Sequence, residues 1–257
     1  MKSDIEIQVD VKNPGEFFAC CGLLELADRL SSGAEGWFAE DKFFITFLDA
    51  SGGVTIHEAL WSVVNTGAVG EPDDKVSPLT LGEPLDMRLS WWLRPEGGSN
   101  RVLKTWAANA SSLQMFSKWE IPVKEILQEE DPDPTSLFRR QTSLQGPYGF
   151  DSKFGWDALS VGFSLNEHIR YKKSQVRPVV EMLGAIGLQR FTPDIDQSKG
   201  IVRYATWRTP LPPSVACLAA LGKLPYATLL KMESKTTRRG SFKGLATARM
   251  QTGDLDD

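Results

Sequence analysis

Few residues in this chain have the type and spacing that chemistry requires. His57 and His168 are the only imidazoles in 257 residues. His57 lies in an acidic region, and His168 sits in N-E-H-I-R close to Arg170, Lys172 and Lys173. A G-x-S-x-G turn is missing, and Cys20, Cys21 and Cys217 fall in apolar helical patterns, where thiols act as small buried hydrophobes. So few Cys and His residues argue against a zinc centre. Asp131-Pro132-Asp133 and Asp194-Ile195-Asp196 have the bare D-x-D pattern, but both read as loops. Neither a Walker A nor a dinucleotide fingerprint occurs, so the sequence calls for no metal and no cofactor.

The residues that could act on a ligand are cations. Segment 231–249 holds six basic residues and one acidic residue. In it Arg238, Arg239 and Lys243 surround Gly240 and Gly244, with Phe242 between them. Glycines let backbone N–H groups approach phosphates, Arg and Lys neutralise them, and an aromatic ring can stack on a base. A flexible basic tail would have the same composition. A second mixture of this kind runs through 138–173, with Arg139, Arg140, Gln141, Tyr148, Phe150, Lys153, Phe154, Trp156, Arg170, Lys172 and Lys173. Its aromatic rings suit a folded core or a stacking platform equally.

The charge distribution agrees with a polyanion-facing surface on one side of the molecule. Residues 1–100 carry 7 Lys/Arg against 17 Asp/Glu, whereas residues 101–250 carry 22 against 13. The overall charge of −4 argues against a simple nucleic-acid binder, so any such surface is local. No apolar run is long enough for a membrane span and no signal-peptide pattern opens the chain, so a cytoplasmic protein is expected.

The elements that must position these residues begin with a strand. Ile5, Ile7, Val9 and Val11 alternate with polar residues. A helix follows over 13–30, with Asn13 as N-cap, Pro14 in its first turn and Glu16 as the acidic partner of a capping box. Its apolar stripe predicts packing on one side, with Glu25, Asp28 and Arg29 on the other. A turn at 31–38 and a strand at 42–48 complete a βαβ unit. A long connection over 49–84 with one helical patch at 57–64, a strand at 85–93 and a helix beginning at 103–116 come next. The acidic 128–136 is an exposed loop, 138–170 is irregular with a candidate strand at 158–164, and 177–191 is a second apolar helix. That helix echoes the first, since Pro14 precedes Gly22 by about the distance that separates Pro178 from Gly187. A strand at 201–208 and a short helix at 212–221 close the pattern.

Three blocks resemble a family of small RAMP-like proteins encoded in type I-U (I-G) CRISPR operons: N-P-G-E-F-F-A-C-C-G-L-L-E-L-A-D-R-L, G-F-D-S-K-F-G-W-D-A-L-S-V-G-F-S, and R-P-V-V-E-M-L-G-A-I-G-L-Q-R-F with Y-A-T-W-R-T-P-L-P. They span most of the chain. The resemblance implies an α+β fold of RRM-like (ferredoxin-like) βαβ units with long loop insertions, and a subunit of an RNA-guided complex that holds nucleic acid by its backbone. The glycine-rich loop of RAMP proteins is matched only by R-R-G-S-F-K-G.

The expectation is therefore a single RAMP-like domain over 1–257, or two related halves at about 1–130 and 131–257. It would be a non-enzymatic subunit with guide RNA or target DNA and other CRISPR effector subunits as partners. Arg139, Arg140, Lys153, Arg170, Lys172, Lys173, Arg238, Arg239 and Lys243 would neutralise phosphates, and Trp156 and Phe242 would stack. Two alternatives stay open. One is a guide-processing ribonuclease using His168, and the other is a structural adaptor whose basic half meets an acidic protein.

Overall fold

The computed structural model of the protein describes residues 3–49, 52–93, 103–106, 110–129, 136–144, 149–153, 174–239 and 242–251. The described residues form an α+β fold in which small antiparallel sheets surround two central helices. Helix α1 (Pro14–Leu30) starts as the sequence predicts, because the Asn13 side chain accepts from Gly15 N at 3.1 Å and Pro14 needs no donor in the first turn. The capping box is altered. Glu16 accepts from the backbone N–H of Asp10 at 2.7 Å instead of closing on Asn13 N.

The first sheet has the order β1-β3-β2, with β1 (Ile5–Gln8), β2 (Ala34–Ala39) and β3 (Lys42–Phe47). Both β1 and β2 run antiparallel to β3, so the strands on either side of α1 run parallel to each other. The segment expected to be a turn at 31–38 is mostly strand β2. Gly36 hid it, because glycine weakens a strand pattern. At Gly36 an added Cβ would come within 2.8 Å of the Phe43 ring, so packing at this position requires glycine.

Helix α2 (Ile56–Thr66) is closed by a Thr55–Glu58 capping box, and β4 (Ala68–Val69), β5 (Leu79–Leu81) and β6 (Met87–Leu89) form a small sheet beyond it. The expected strand at 85–93 shortens to β6 because 91–93 turn into a single helical turn that buries Trp91 and Trp92. Helix α3 (Ser112–Leu127) begins later than the apolar pattern suggests. Ser111 and Gln114 form its capping box, and the helix continues through Pro122. A two-stranded ribbon follows, β7 (Thr142–Leu144) with β8 (Ser174–Val176). The candidate strand at 158–164 lies outside the described residues.

Helix α4 (Pro178–Arg190) matches its prediction, as do β10 (Ile201–Trp207) and helix α5 (Pro213–Ala220). The second sheet has the order β12-β11-β10-β9, built from β9 (Asp194–Asp196), β10, the long β11 (Thr228–Arg239) and β12 (Phe242–Leu245), with β13 (Arg249–Met250) also paired to β11. Asp194-Ile195-Asp196 is thus an edge strand rather than a loop. A register shift at Thr206/Trp207 turns Trp207 into the core, where its Nε1 donates to Gly36 O at 2.7 Å. Gly36 also exchanges backbone hydrogen bonds with Leu211, which ties the two halves together at this point.

Helices α1 and α4 are the centre of the fold. An amphipathic α1 was expected, yet it is buried almost throughout: Glu16, Glu25, both cysteines and the whole aliphatic stripe are enclosed. Phe17 stacks on Tyr204 of the second sheet, with ring centroids 4.3 Å apart, and on Phe38 of the first. The two helices run in the same direction, because Glu16 near the start of α1 meets Arg177 at the start of α4, and Glu25 meets Arg190 at the other end. They cross at Gly22 and Gly187. A Cβ at Gly22 would fall 2.0 Å from Leu183 O, and one at Gly187 would fall 2.1 Å from Phe18 O. The echo between the helices thus has a steric cause.

Gly22→Ala or Gly187→Ala should destabilise the protein by at least about 2 kcal/mol, since backbone is the obstacle and cannot rotate away. Urea denaturation of each variant checks this, and a loss under about 0.5 kcal/mol would show that the helices are further apart.

Candidate functional site

Two places gather polar chemistry. The first is a cluster at the adjoining N-termini of α1 and α4. Arg177 grips Asp151 through Nε at 2.7 Å and Nη2 at 2.8 Å, and reaches Glu16 through Nη1 at 2.8 Å. Asn13 donates to Asp151 at 2.8 Å and to Glu16 at 3.2 Å, and its oxygen accepts from Ser152 N at 3.0 Å. Glu181, in the first turn of α4, accepts from the backbone N–H groups of Phe150 and Asp151. All four ionisable groups are buried. Such burial is costly unless charges are paired and hydrogen-bonded, as Arg177, Asp151 and Glu16 are; Glu181 has only backbone N–H donors. Two helix N-termini facing the carboxylates add a favourable field, just as Arg29 and Arg190 sit at the C-terminal ends beside buried Glu25.

These carboxyls do not behave alike. Burial is the main cause that pushes the Glu181 carboxyl up to about 8, with the neighbouring Asp151 adding to it. Hydrogen bonds from the backbone of residues 149–151 work against that rise. Burial also opposes the Arg177 cation, but Asp151 and Glu16 more than offset it and its pKa is raised.

Above this cluster opens a cleft of about 580 Å³. Its lining includes Val9, Val11, Lys12 and Phe138, with Arg139, Gln141, Lys153, Glu16 and Arg177. Lys153 binds Asp10 at 3.1 Å and lies 3.6 Å from Glu16. The segment after β12 runs past this wall: Leu245 N donates to Gly149 O at 2.8 Å, Ala248 N to Lys12 O at 2.7 Å, and Thr247 Oγ1 to Ser152 at 3.2 Å. Gly149 has a φ of +84°, and a Cβ there would meet Lys243 O at 2.8 Å, so glycine is needed for this approach.

The second place is the outer face of β11. Strand period two puts Lys231, Glu233 and Lys235 on one face, while Met232 and Ser234 are buried on the other. Arg249 is paired in register with Glu233, and Arg203 lies opposite it on β10. Arg203 is held by Glu233 at 3.1 Å and Asp194 at 3.3 Å. Lys231, Lys235 and Arg249 are exposed, and among the described residues no ion pair engages them.

The expected site residues are therefore distributed. Arg139 and Lys153 both line the cleft. Arg140 pairs with Glu129 at 2.9 Å. Arg238 and Arg239 end β11, in register with Lys243 and Phe242 of β12, so the described residues 236–239 and 242–245 form a paired ribbon rather than a flexible tail. Trp156, Arg170, Lys172, Lys173 and His168 lie outside the described residues, as do Tyr148 and Phe154. Phe138 and Phe150 are core residues. His57 stacks on Trp61, and its Nε2 lies 3.0 Å from Leu127 O, which is a structural role. Among the described residues no group of three His, Cys, Asp or Glu side chains could hold a metal ion, and no helix is long and apolar enough to cross a membrane. No family model, curated protein or solved structure matches the chain.

Sequence reasoning missed the buried cluster, because Asn13, Glu16, Asp151, Arg177 and Glu181 come from three distant segments. It also passed over the shared exposed face of Lys231 and Lys235, which the alternation along 231–235 could have revealed.

Arg177→Met should cost about 3–5 kcal/mol, since Asp151 and Glu16 stay buried without their cation. Thermal or urea unfolding at pH 7 measures this, and a neutral effect would show that the cluster is solvated. Glu181 gives a pH signature. Between about 4.5 and 8 the folded protein keeps this proton while the unfolded chain releases it, so its contribution to stability falls as pH rises through that window. Glu181→Gln should flatten that part of the stability profile, and an unchanged slope would assign it to other groups.

Proposed function

We propose that the chain is a non-catalytic subunit of an RNA-guided CRISPR complex that binds the backbone of guide RNA or target DNA. The carrying observation is the outer face of the second sheet, where Lys231, Lys235 and Arg249 stand exposed on paired strands with no ion pair among the described residues. Four residues of strand separate Lys231 from Lys235 by roughly 13 Å, about the span of two nucleotides of an extended strand. Arg238 and Arg239 are the last residues of the same strand. Cations with no ion pair among the described residues are available to displace the counterions of a polyanion, and the acidic first half keeps that affinity local.

The family resemblance supports the CRISPR context. The strand order β1-β3-β2 around α1 is compatible with the first three strands of a ferredoxin-like unit, which supports the RAMP-type reading. A cytoplasmic location belongs to the same proposal. Base stacking is the weaker part of it, because on the described part of this sheet face charged side chains take the places where RRM domains display aromatic rings. Binding is thus mainly electrostatic and tolerant of sequence.

The triple variant Lys231→Glu, Lys235→Glu, Arg249→Glu should lower affinity for single-stranded RNA at least tenfold at moderate salt. It should also reduce the magnitude of the log K against log salt slope by about 2, since each phosphate left without its cation removes about 0.7. A parallel set at Arg238, Arg239 and Lys243 tests the hairpin end. Fluorescence anisotropy over a salt series reads both, and unchanged affinity in both sets would sink the reading.

A further inference from the structure

We infer that the cleft between β1 and the 137–141 segment is a nucleotide subsite, taking one phosphorylated nucleotide with its phosphate on Lys12 and Arg139. This rests on the nucleic-acid reading above and gives it a discrete pocket. Its size, about 580 Å³, is within the range of pockets that enclose a small ligand.

The cleft is lined by four cations, Lys12, Arg139, Lys153 and Arg177, and by four carboxylates, Asp10, Glu16, Glu40 and Asp41, and these divide into engaged and available groups. Arg177 is shared between Asp151 and Glu16, and Lys153 between Asp10 and Glu16, so these groups are engaged with one another and form the floor. Lys12 and Arg139 line the same cleft, are exposed, and have no ion pair among the described residues. Two available cations on separate elements suit a phosphate dianion, and the guanidinium can bind it with two donors. The rest of the lining suits the body of a nucleotide. Val11 offers apolar surface beside the cations, and the Gln141 amide can both donate to and accept from a base edge. Asp41, in the β2–β3 turn, accepts from Gln8 and supplies a carboxylate for a ribose hydroxyl or a base amine.

Rigidity is the other requirement, and the cluster beneath the cleft meets it. Arg177 also donates to Phe138 O at 3.4 Å, so the group that closes the floor holds the segment carrying Arg139. Lys12 is fixed by Ala248 N on its carbonyl, and its own N–H donates to Asp10 at 3.0 Å. The pocket is thus preorganised around two cations whose side chains make no ion pair among the described residues.

The test uses the full chain and four probes at low salt: the uridine and guanosine 5′-monophosphates, inorganic phosphate, and a pentaribonucleotide. Calorimetry or NMR titration should give millimolar or tighter binding of the monophosphates, and weaker binding of phosphate alone. Arg139→Glu with Lys12→Glu should weaken the monophosphates at least tenfold while the thermal midpoint stays unchanged. Gln141→Ala should alter the preference between the two bases and leave phosphate binding intact. Tighter binding of the pentamer with the same sensitivity to the double variant assigns the cleft to a nucleotide within a strand. Equal affinities assign it to a free nucleotide. Absence of monophosphate binding, or binding indifferent to the double variant, overturns the inference. RNA affinity that depends on Lys231, Lys235 and Arg249 would then still stand, so the two failures are distinguishable.

Discussion

The grip of Arg177 on Asp151 and Glu16 is the interaction on which the rest of the structure depends. It joins three separate stretches of chain: the start of α1, the loop at 149–153 and the start of α4. The two helices must run in the same direction for their N-termini to share these carboxylates, and that arrangement sets their crossing. The crossing demands glycine at 22 and 187, where backbone meets backbone. The sheets then cover what remains of the helix surfaces, with Phe17, Tyr204, Phe38 and Trp207 as the aromatic filling. An all-apolar contact could supply stability as well, but it would not fix the position of a polar loop.

That loop matters because it links the scaffold to the surface. Its backbone donors are held by Glu181 and Asn13, its Asp151 by Arg177, and its Lys153 reaches back to Asp10 and Glu16. The segment after β12 lies against it, so the long basic ribbon of the second half is anchored to the same cluster. The acidic first half and the basic second half are therefore one packed structure at this point. The cations that face outward on β11 are displayed on a surface whose underside is core.

Much of the fold was legible in the sequence because it is locally encoded. The strand β1, the helices α1, α4 and α5, and β10 follow from apolar periodicity and proline punctuation. The strand β2 was obscured by Gly36, whose presence reflects the Phe43 ring packed over it rather than a turn. The start of α3 was misplaced because the Ser111–Gln114 cap outweighs the apolar residues ahead of it. Glu16, Glu25 and Glu181 were beyond reach for a physical reason. Patterning assigns charged residues to solvent, and only long-range partners such as Arg177 and Arg190 reverse that. The candidate site follows the same rule. The basic segments were visible as composition, whereas the meeting of Lys12 with Arg139 at one cleft required the tertiary structure.

Amide hydrogen exchange in the 149–153 loop tests the central claim most directly. If the buried cluster holds this loop, the N–H groups of Phe150, Asp151 and Ser152 exchange as slowly as those in the middle of α1 and α4, and open only with global unfolding. Exchange of these amides at the rate of an exposed loop, with the helices still protected, would contradict the account.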